Sequence, residues 1–294
     1  MKAGIIVPQG WTGEYTGWEA HAAWERSLWV ARQAESLGFE SIWAFDHFHT
    51  TPEPTDQITF ESFTFLTALS QHTERVRLGH IVMSAGFRNP ALVAKMISTL
   101  DVVSNGRAEV GIGAGWKEDE WKAYGYGFPG RKERLDGLGD ALAVLRAMLD
   151  PGRATVEGTH AFVRGAINEP RGIQQPRVPI MVGGNGPERT WRLAARYADE
   201  LNIDAMFPED LKEALPTIRS RCEEIGRDPG SLAVSVHIWW EQAARPGSER
   251  VERLAAYREL GISRVQMLVR DSVDDDGALD AFAADCREAG VELA

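Results

Sequence analysis

Asp46 and His47 stand side by side at the end of the run Gly38-Phe39-Glu40-Ser41-Ile42-Trp43-Ala44-Phe45, where a buried-strand pattern gives way to groups that can carry protons. Imidazole has the ordinary pKa nearest neutrality, so a histidine fixed at the edge of a rigid scaffold can donate or accept a proton. The same pair also reads as a capping aspartate beside a hydrogen-bonded histidine. Gly183-Gly184-Asn185-Gly186-Pro187 joins a strand to a helix expected to start at its proline, and the free N–H groups of such a turn can face a phosphate. A tight turn that needs positive φ would look no different. Gly111-Ile112-Gly113-Ala114-Gly115-Trp116 lacks the remaining spacing of a dinucleotide turn, and Gly113 and Gly115 are expected to let a ring system approach the backbone. Glu118, Asp119 and Glu120 follow it as helix N-terminal charges, with Glu120 a candidate polar contact.

Other chemistries lack their residues. The histidines at 21, 47, 49, 72, 80, 160 and 237 form no H-E-x-x-H or comparable ligand set, so no metal is expected. No G-x-S-x-G turn offers a serine nucleophile, and no P-loop is present.

The elements that must position these residues alternate along the chain. Strand-like segments at 2–8, 41–45, 76–83, 107–113, 178–182, 200–203, 232–238 and 264–268 are each followed by a helix-like one, at 18–37, 60–71, 90–103, 131–149, 187–198, 209–225, 248–260 and 278–289. In the fourth helix Leu135, Leu138, Leu142, Leu145 and Leu149 fall at steps of three and four, one apolar stripe to lay on a sheet. The Gly-, Pro- and Arg-rich segment 150–177 reads as an insertion, with a small hairpin around Thr155–Val156 and Ala161–Val163. Eight βα units predict an α/β fold of the (β/α)8 TIM-barrel type in one domain over 1–294. A doubly wound sheet would want a phosphate-binding glycine turn after its first strand, where this chain has Pro8-Gln9-Gly10-Trp11.

A barrel's active site lies at the C-terminal ends of its strands. Those ends carry Gln9, Trp11, Asp46, His47, Met83, Ser84, Gly113 to Trp116, Gly183 to Gly186, Asp204, His237, Trp239, Trp240 and Arg270. Trp11, Trp43, Trp116, Trp239 and Trp240 fall at or near this face, as a flat aromatic ligand would use, although packing needs tryptophans too. A formal charge of −11 argues against nonspecific nucleic-acid binding, and no run approaches the ~20 apolar residues of a membrane helix. A cytoplasmic protein is expected, with Cys222 and Cys286 reduced.

As a set, Leu37-Gly38-Phe39-Glu40-Ser41-Ile42-Trp43 with Asp46-His47-Phe48, Phe87-Arg88-Asn89-Pro90, Gly106-Arg107, Gly111 to Trp116, Tyr124-Gly125, Val182-Gly183-Gly184 and Ala195-Arg196-Tyr197-Ala198-Asp199 resemble the luciferase-like flavin and deazaflavin oxidoreductases. The nearest likeness is to the branch using coenzyme F-420. The resemblance implies a (β/α)8 barrel with an insertion, a homodimer and a small-molecule substrate. His47 matches the histidine near the reactive ring carbon and Asp46 a neighbouring cofactor contact. Val82, Met83 and Ser84 match a third-strand bulge, often with a non-prolyl cis peptide, that props the ring. Gly183, Gly184, Asn185 and Gly186 match the turn for the cofactor phosphate. Gly115, Trp116 and Glu120 join the expected cofactor side. Trp116 and Thr51 depart from the sugar-phosphate-oxidising branch, which has glutamate and tryptophan there. Hydride transfer with F-420 is therefore the expected chemistry, and an FMN-dependent monooxygenase the alternative.

Overall fold

Parallel strands buried on both faces are rich in apolar side chains, and the expected strands are, with inward polar residues such as Glu109, Asn202, Ser235 and Arg264 paired among themselves. The computed structural model describes residues 1–293, apart from the Trp240 side chain. Strands β1 (Lys2–Ile6), β2 (Ser41–Ala44), β3 (Arg77–His80), β4 (Met83–Ser84), β5 (Ala108–Gly113), β8 (Ile180–Gly183), β9 (Glu200–Asp204), β10 (Ala233–Ile238) and β11 (Arg264–Met267) share one sheet. Its order runs β3-β2-β1-β11-β10-β9-β8-β5, and pairing of β3 with β5 closes it. This is the expected eight-stranded parallel barrel, its third strand broken into β3 and β4. Helices α1 (Ala20–Ser36), α2 (Ser62–Ser70), α3 (Pro90–Val103), α5 (Arg131–Leu149), α6 (Thr190–Tyr197), α7 (Pro208–Glu223), α9 (Ser248–Glu259) and α10 (Ala278–Glu288) follow the eight barrel strands in turn.

Four local differences from the expected elements have physical causes. The third strand does not run unbroken from Val76 to Met83 as its local pattern suggested; it has the bulge and the non-prolyl cis peptide, at Ile81–Val82, that the family resemblance implied. Gly79 pairs with Glu109 and Met83 with Ile112, so this strand spends one residue more than its partner and bulges there. The helix expected at Pro187 begins at Thr190, because the Trp191 indole N–H donates to the Gly184 carbonyl (3.1 Å) and its amide to Gly186 (3.1 Å). The hairpin pairs β6 (Ala154–Val156) with β7 (Val163–Ala166), later than expected on its second arm. Two short helices, α4 (Glu118–Ala123) and α8 (Trp240–Ala243), occupy loops at the barrel mouth.

Apolar side chains fill two layers. Between strands and helices, α5 buries Leu138, Leu142, Leu145 and Leu149, each contributing about 1.5–3 kcal/mol; Leu135, the fifth of the stripe, stays half-buried. Inside the barrel, Ile6, Trp11, Trp43, Phe45, Ile81, Met181 and Leu268 form a separate cluster. Trp43 is fully buried at its centre and donates from Nε1 to Ser41 Oγ (2.9 Å). Gly4 and Gly79 make room for it, since a Cβ on either would collide with the indole. At the far end Arg264 meets Glu109 (2.9 Å), Glu200 (2.5 Å) and Glu40 (2.9 Å), and Arg77 also pairs with Glu109. Burial would raise the Glu109 carboxyl, but Arg264 and Arg77 outweigh it and hold it below its ordinary value. Among the described residues no helix is long and apolar enough to cross a membrane.

Candidate active site

The strand ends surround a cavity of about 410 Å³. Its walls include all the residues proposed from sequence for the site: Asp46, His47, Val82, Met83, Ser84, Gly115, Trp116, Glu120, Gly183, Gly184, Asn185 and Gly186. Trp11, Asp204, His237 and Trp239 join them, whereas Gln9 and Arg270 do not line it. Trp43 lies below in the barrel interior, and the Trp240 side chain lies outside the described residues.

His47 is held from three sides. Its Nδ1 lies 2.7 Å from Oε2 of Glu120, a fully buried carboxylate that accepts on its other oxygen from the amides of Phe48 (2.6 Å) and His49 (3.4 Å). A carboxylate so engaged only accepts, so Nδ1 is the donor and Nε2 is the nitrogen left without a partner among the described residues. The imidazole stacks on Trp11 with centroids 4.1 Å apart and planes 3° from parallel, while Trp116 meets it edge-on at 5.9 Å. His49 turns towards Asp119 (3.4 Å).

Glu120 arrives from α4, whose placement follows from packing. Trp121 fits where Gly86 and Gly115 carry no side chains; a Cβ on Gly115 would lie 2.7 Å from the indole and 2.5 Å from Ser84 Oγ. Gly115 also needs its φ of +77°. The expected access of a ring to the backbone at Gly113 and Gly115 is thus partly taken up by the chain itself. Val82 supplies the other half of this packing, because a Cβ on Gly113 or Gly183 would lie 2.9 or 2.8 Å from its methyl groups.

Asp46 faces inward. It accepts from Ser62 Oγ (2.8 Å), the Ser84 amide (3.1 Å) and Arg88 (2.8 Å). Burial alone would push its carboxyl up, yet Arg88 outweighs that and holds it below the ordinary carboxylate range. Its bond to Ser84 ties the strand end carrying His47 to the bulge that follows Val82. Ser84 Oγ itself is buried without a partner on the cavity wall.

Across the cavity, Gly184 takes φ +131° and Asn185 bonds twice to Asp204, accepting from its amide (2.9 Å) and donating to its carbonyl (2.7 Å). Arg131 and Arg134 also line the cavity. Sequence reading passed over them, and over Lys117, because an arginine or lysine beside a helix start ordinarily marks a solvated surface. Their signal was position only: they flank the loop after the fourth barrel strand.

Residues 1–281 match the family model described as luciferase-like monooxygenase. An F-420-dependent glucose-6-phosphate dehydrogenase of Intrasporangium calvum is 29% identical, the match covering 86% of this chain and 91% of that one. A 5,10-methylenetetrahydromethanopterin reductase of Methanolobus tindarius is 28% identical over 70% of this chain and 58% of its own. Among solved structures, an F-420-dependent secondary alcohol dehydrogenase in complex with an F-420–acetone adduct superposes with a TM-score of 0.82 at 21% identity, over 98% of both chains. A barrel with a bulged third strand, matched along nearly its whole length, leaves one conclusion: the chain belongs to the luciferase-like monooxygenase family.

Proposed function

We propose that this protein is an oxidoreductase that transfers a hydride between coenzyme F-420 and a small organic substrate, with His47 moving the accompanying proton. One observation carries the reading: His47 is locked by Glu120 and Trp11 so that Nε2 alone is left to the cavity. F-420-dependent relatives support the choice of cofactor.

The residues present fit such a cofactor. Ser84 Oγ is a buried polar atom on the wall without a partner, the side chain of Val82 can support a flat ring, and the Gly183–Gly186 turn with Arg131 offers N–H groups and positive charge to a phosphate. When bound, a deazaflavin supplies a carbon centre that takes or gives hydride and reacts poorly with oxygen. The chain's own work is orientation and proton handling. In the oxidising direction an alcohol O–H gives its proton to Nε2 as its carbon gives up hydride; in the reducing direction Nε2 returns the proton to the carbonyl oxygen. Glu120 compensates the charge that develops on the imidazole. Trp11, Phe45 and Trp239 limit water at the reacting end.

Equilibration with F-420 and with FMN, followed by oxygen uptake with each reduced form, tests the cofactor. Tight F-420 binding without oxygen uptake is expected; uptake driven by reduced FMN would replace hydride transfer with monooxygenation. An His47→Ala variant with full turnover and an unchanged pH profile would remove the proton role. A homodimer belongs to the same reading, supported by Leu92, Val102 and Val103 exposed on α3, and sedimentation measures it.

A further inference from the structure

The cavity contains a second histidine–carboxylate pair. Asp204 and His237 are register partners on β9 and β10, and their side chains leave the strands on the same inner face. His237 Nδ1 lies 3.1 Å from Asn202 Oδ1, and Asn202 uses its amide group to donate to Ser235 Oγ (2.9 Å) and Gln266 Oε1 (3.2 Å). That polar ladder inside the barrel assigns Nδ1 as a donor and fixes the ring. His237 Nε2 lies 2.9 Å from Asp204 Oδ1, so a ring nitrogen and a carboxylate stand side by side on the cavity wall. Burial alone would raise the Asp204 carboxyl, yet the imidazole helps hold it below its ordinary value. His237 is 9% exposed, while Asp204 is open to the cavity and fixed through its backbone by Asn185.

An aromatic wall links this pair to the first. His47 stacks on Trp11; Trp11 meets Trp239 at 6.1 Å; Trp239 meets the His237 ring edge-on at 5.3 Å and donates from Nε1 to Asp204 (3.2 Å). The wall is apolar between two polar ends.

We infer that Asp204 and His237 form a substrate-reading pole, taking a hydroxyl group remote from the reacting carbon while the substrate's apolar body lies on Trp11 and Trp239. The inference rests on His47 being the reacting end. A hydroxyl is selected because it both donates and accepts: it can give its proton to the acceptor-only carboxylate and meet the ring nitrogen in either protonation state. A carbonyl satisfies only the ring, and an anion is repelled by Asp204. The substrate class is therefore an alcohol, or its ketone, with an apolar body and a second hydroxyl.

The test uses the full-length protein loaded with F-420, with cyclohexanol compared against the 1,2-, 1,3- and 1,4-cyclohexanediols. At least one diol is expected to exceed cyclohexanol in kcat/KM by about tenfold or more, the effect of one hydrogen bond to a charged group. Asp204→Asn and His237→Gln should bring that ratio near unity, with the loss in KM. Independently of turnover, the same diol should shift the ring-nitrogen NMR signals of His237, assigned through the His237→Gln variant, and cyclohexanol should not. If the diol shifts those signals while no alcohol is oxidised, the pole stands and hydride transfer to alcohols falls. If His237 is silent to every diol, or responds equally to cyclohexanol, the pole is overturned whatever the turnover.

Discussion

Glu120 holds His47 by one carboxylate oxygen and the backbone of the next two residues by the other, so a single buried side chain sets both the ring and the loop that carries it. Glu120→Gln keeps the volume and removes the charge. It should lower kcat by about 10–100-fold while F-420 affinity, read by fluorescence titration, stays within a few-fold. A loss confined to cofactor affinity would show that Glu120 serves the cavity wall and not the histidine.

Val82 and Gly183 should be energetically coupled. Gly183→Ala places a methyl group 2.8 Å from a Val82 methyl and is expected to destabilise by about 1–3 kcal/mol. Adding Val82→Ala should recover about 1 kcal/mol of that loss, beyond what the two single variants predict by addition. Urea unfolding of the four proteins gives the cycle, and strict additivity would separate the two sites.

His80 should make the protein sensitive to mild acid. It is fully buried on β3 against Phe63, without a hydrogen-bond partner, and burial pushes its pKa from the ordinary 6.5 down to about 4. The unfolded chain therefore binds a proton that the folded chain refuses between those values. Stability is retained above the ordinary value and lost as pH falls towards about 4, at up to about 1.4 kcal/mol per pH unit. His80→Leu should flatten this part of the curve of Tm against pH; an unchanged acid limb would assign it to other groups.

Arg264 should be costly to remove. Arg264→Met leaves Glu109 and Glu200 buried without their shared cation and is expected to cost about 3–5 kcal/mol. Glu200→Gln on that background should restore part of the loss, measured by calorimetry, because it removes the charge whose cation is gone, whereas Glu109 keeps Arg77.

The alternation of strands and helices was legible because short runs rich in apolar residues alternate with longer segments that carry one apolar stripe, a pattern that the inward polar residues Asn202, Ser235 and Gln266 do not break. The break in the third strand was legible only through the family resemblance, which implied a bulge with a non-prolyl cis peptide around Val82 to Ser84; the local pattern gives no sign of it, since there is no proline at the break. Asp46-His47 could be located from local pattern, as could Asp204 and His237 at their strand ends. Their partnerships could not. Glu120 reaches His47 across 73 residues, and only the seating of Trp121 over Gly86 and Gly115 brings it there. Asp46 lines the cavity beside His47, and the bonds that Ser62, Ser84 and Arg88 give its oxygens, tying it to the bulge, could not be read from its neighbours in sequence.

The indole of Trp43, seated where Gly4 and Gly79 leave room, makes the barrel a blind well. A molecule at the strand ends therefore has no route through the barrel interior and has to leave on the face at which it entered.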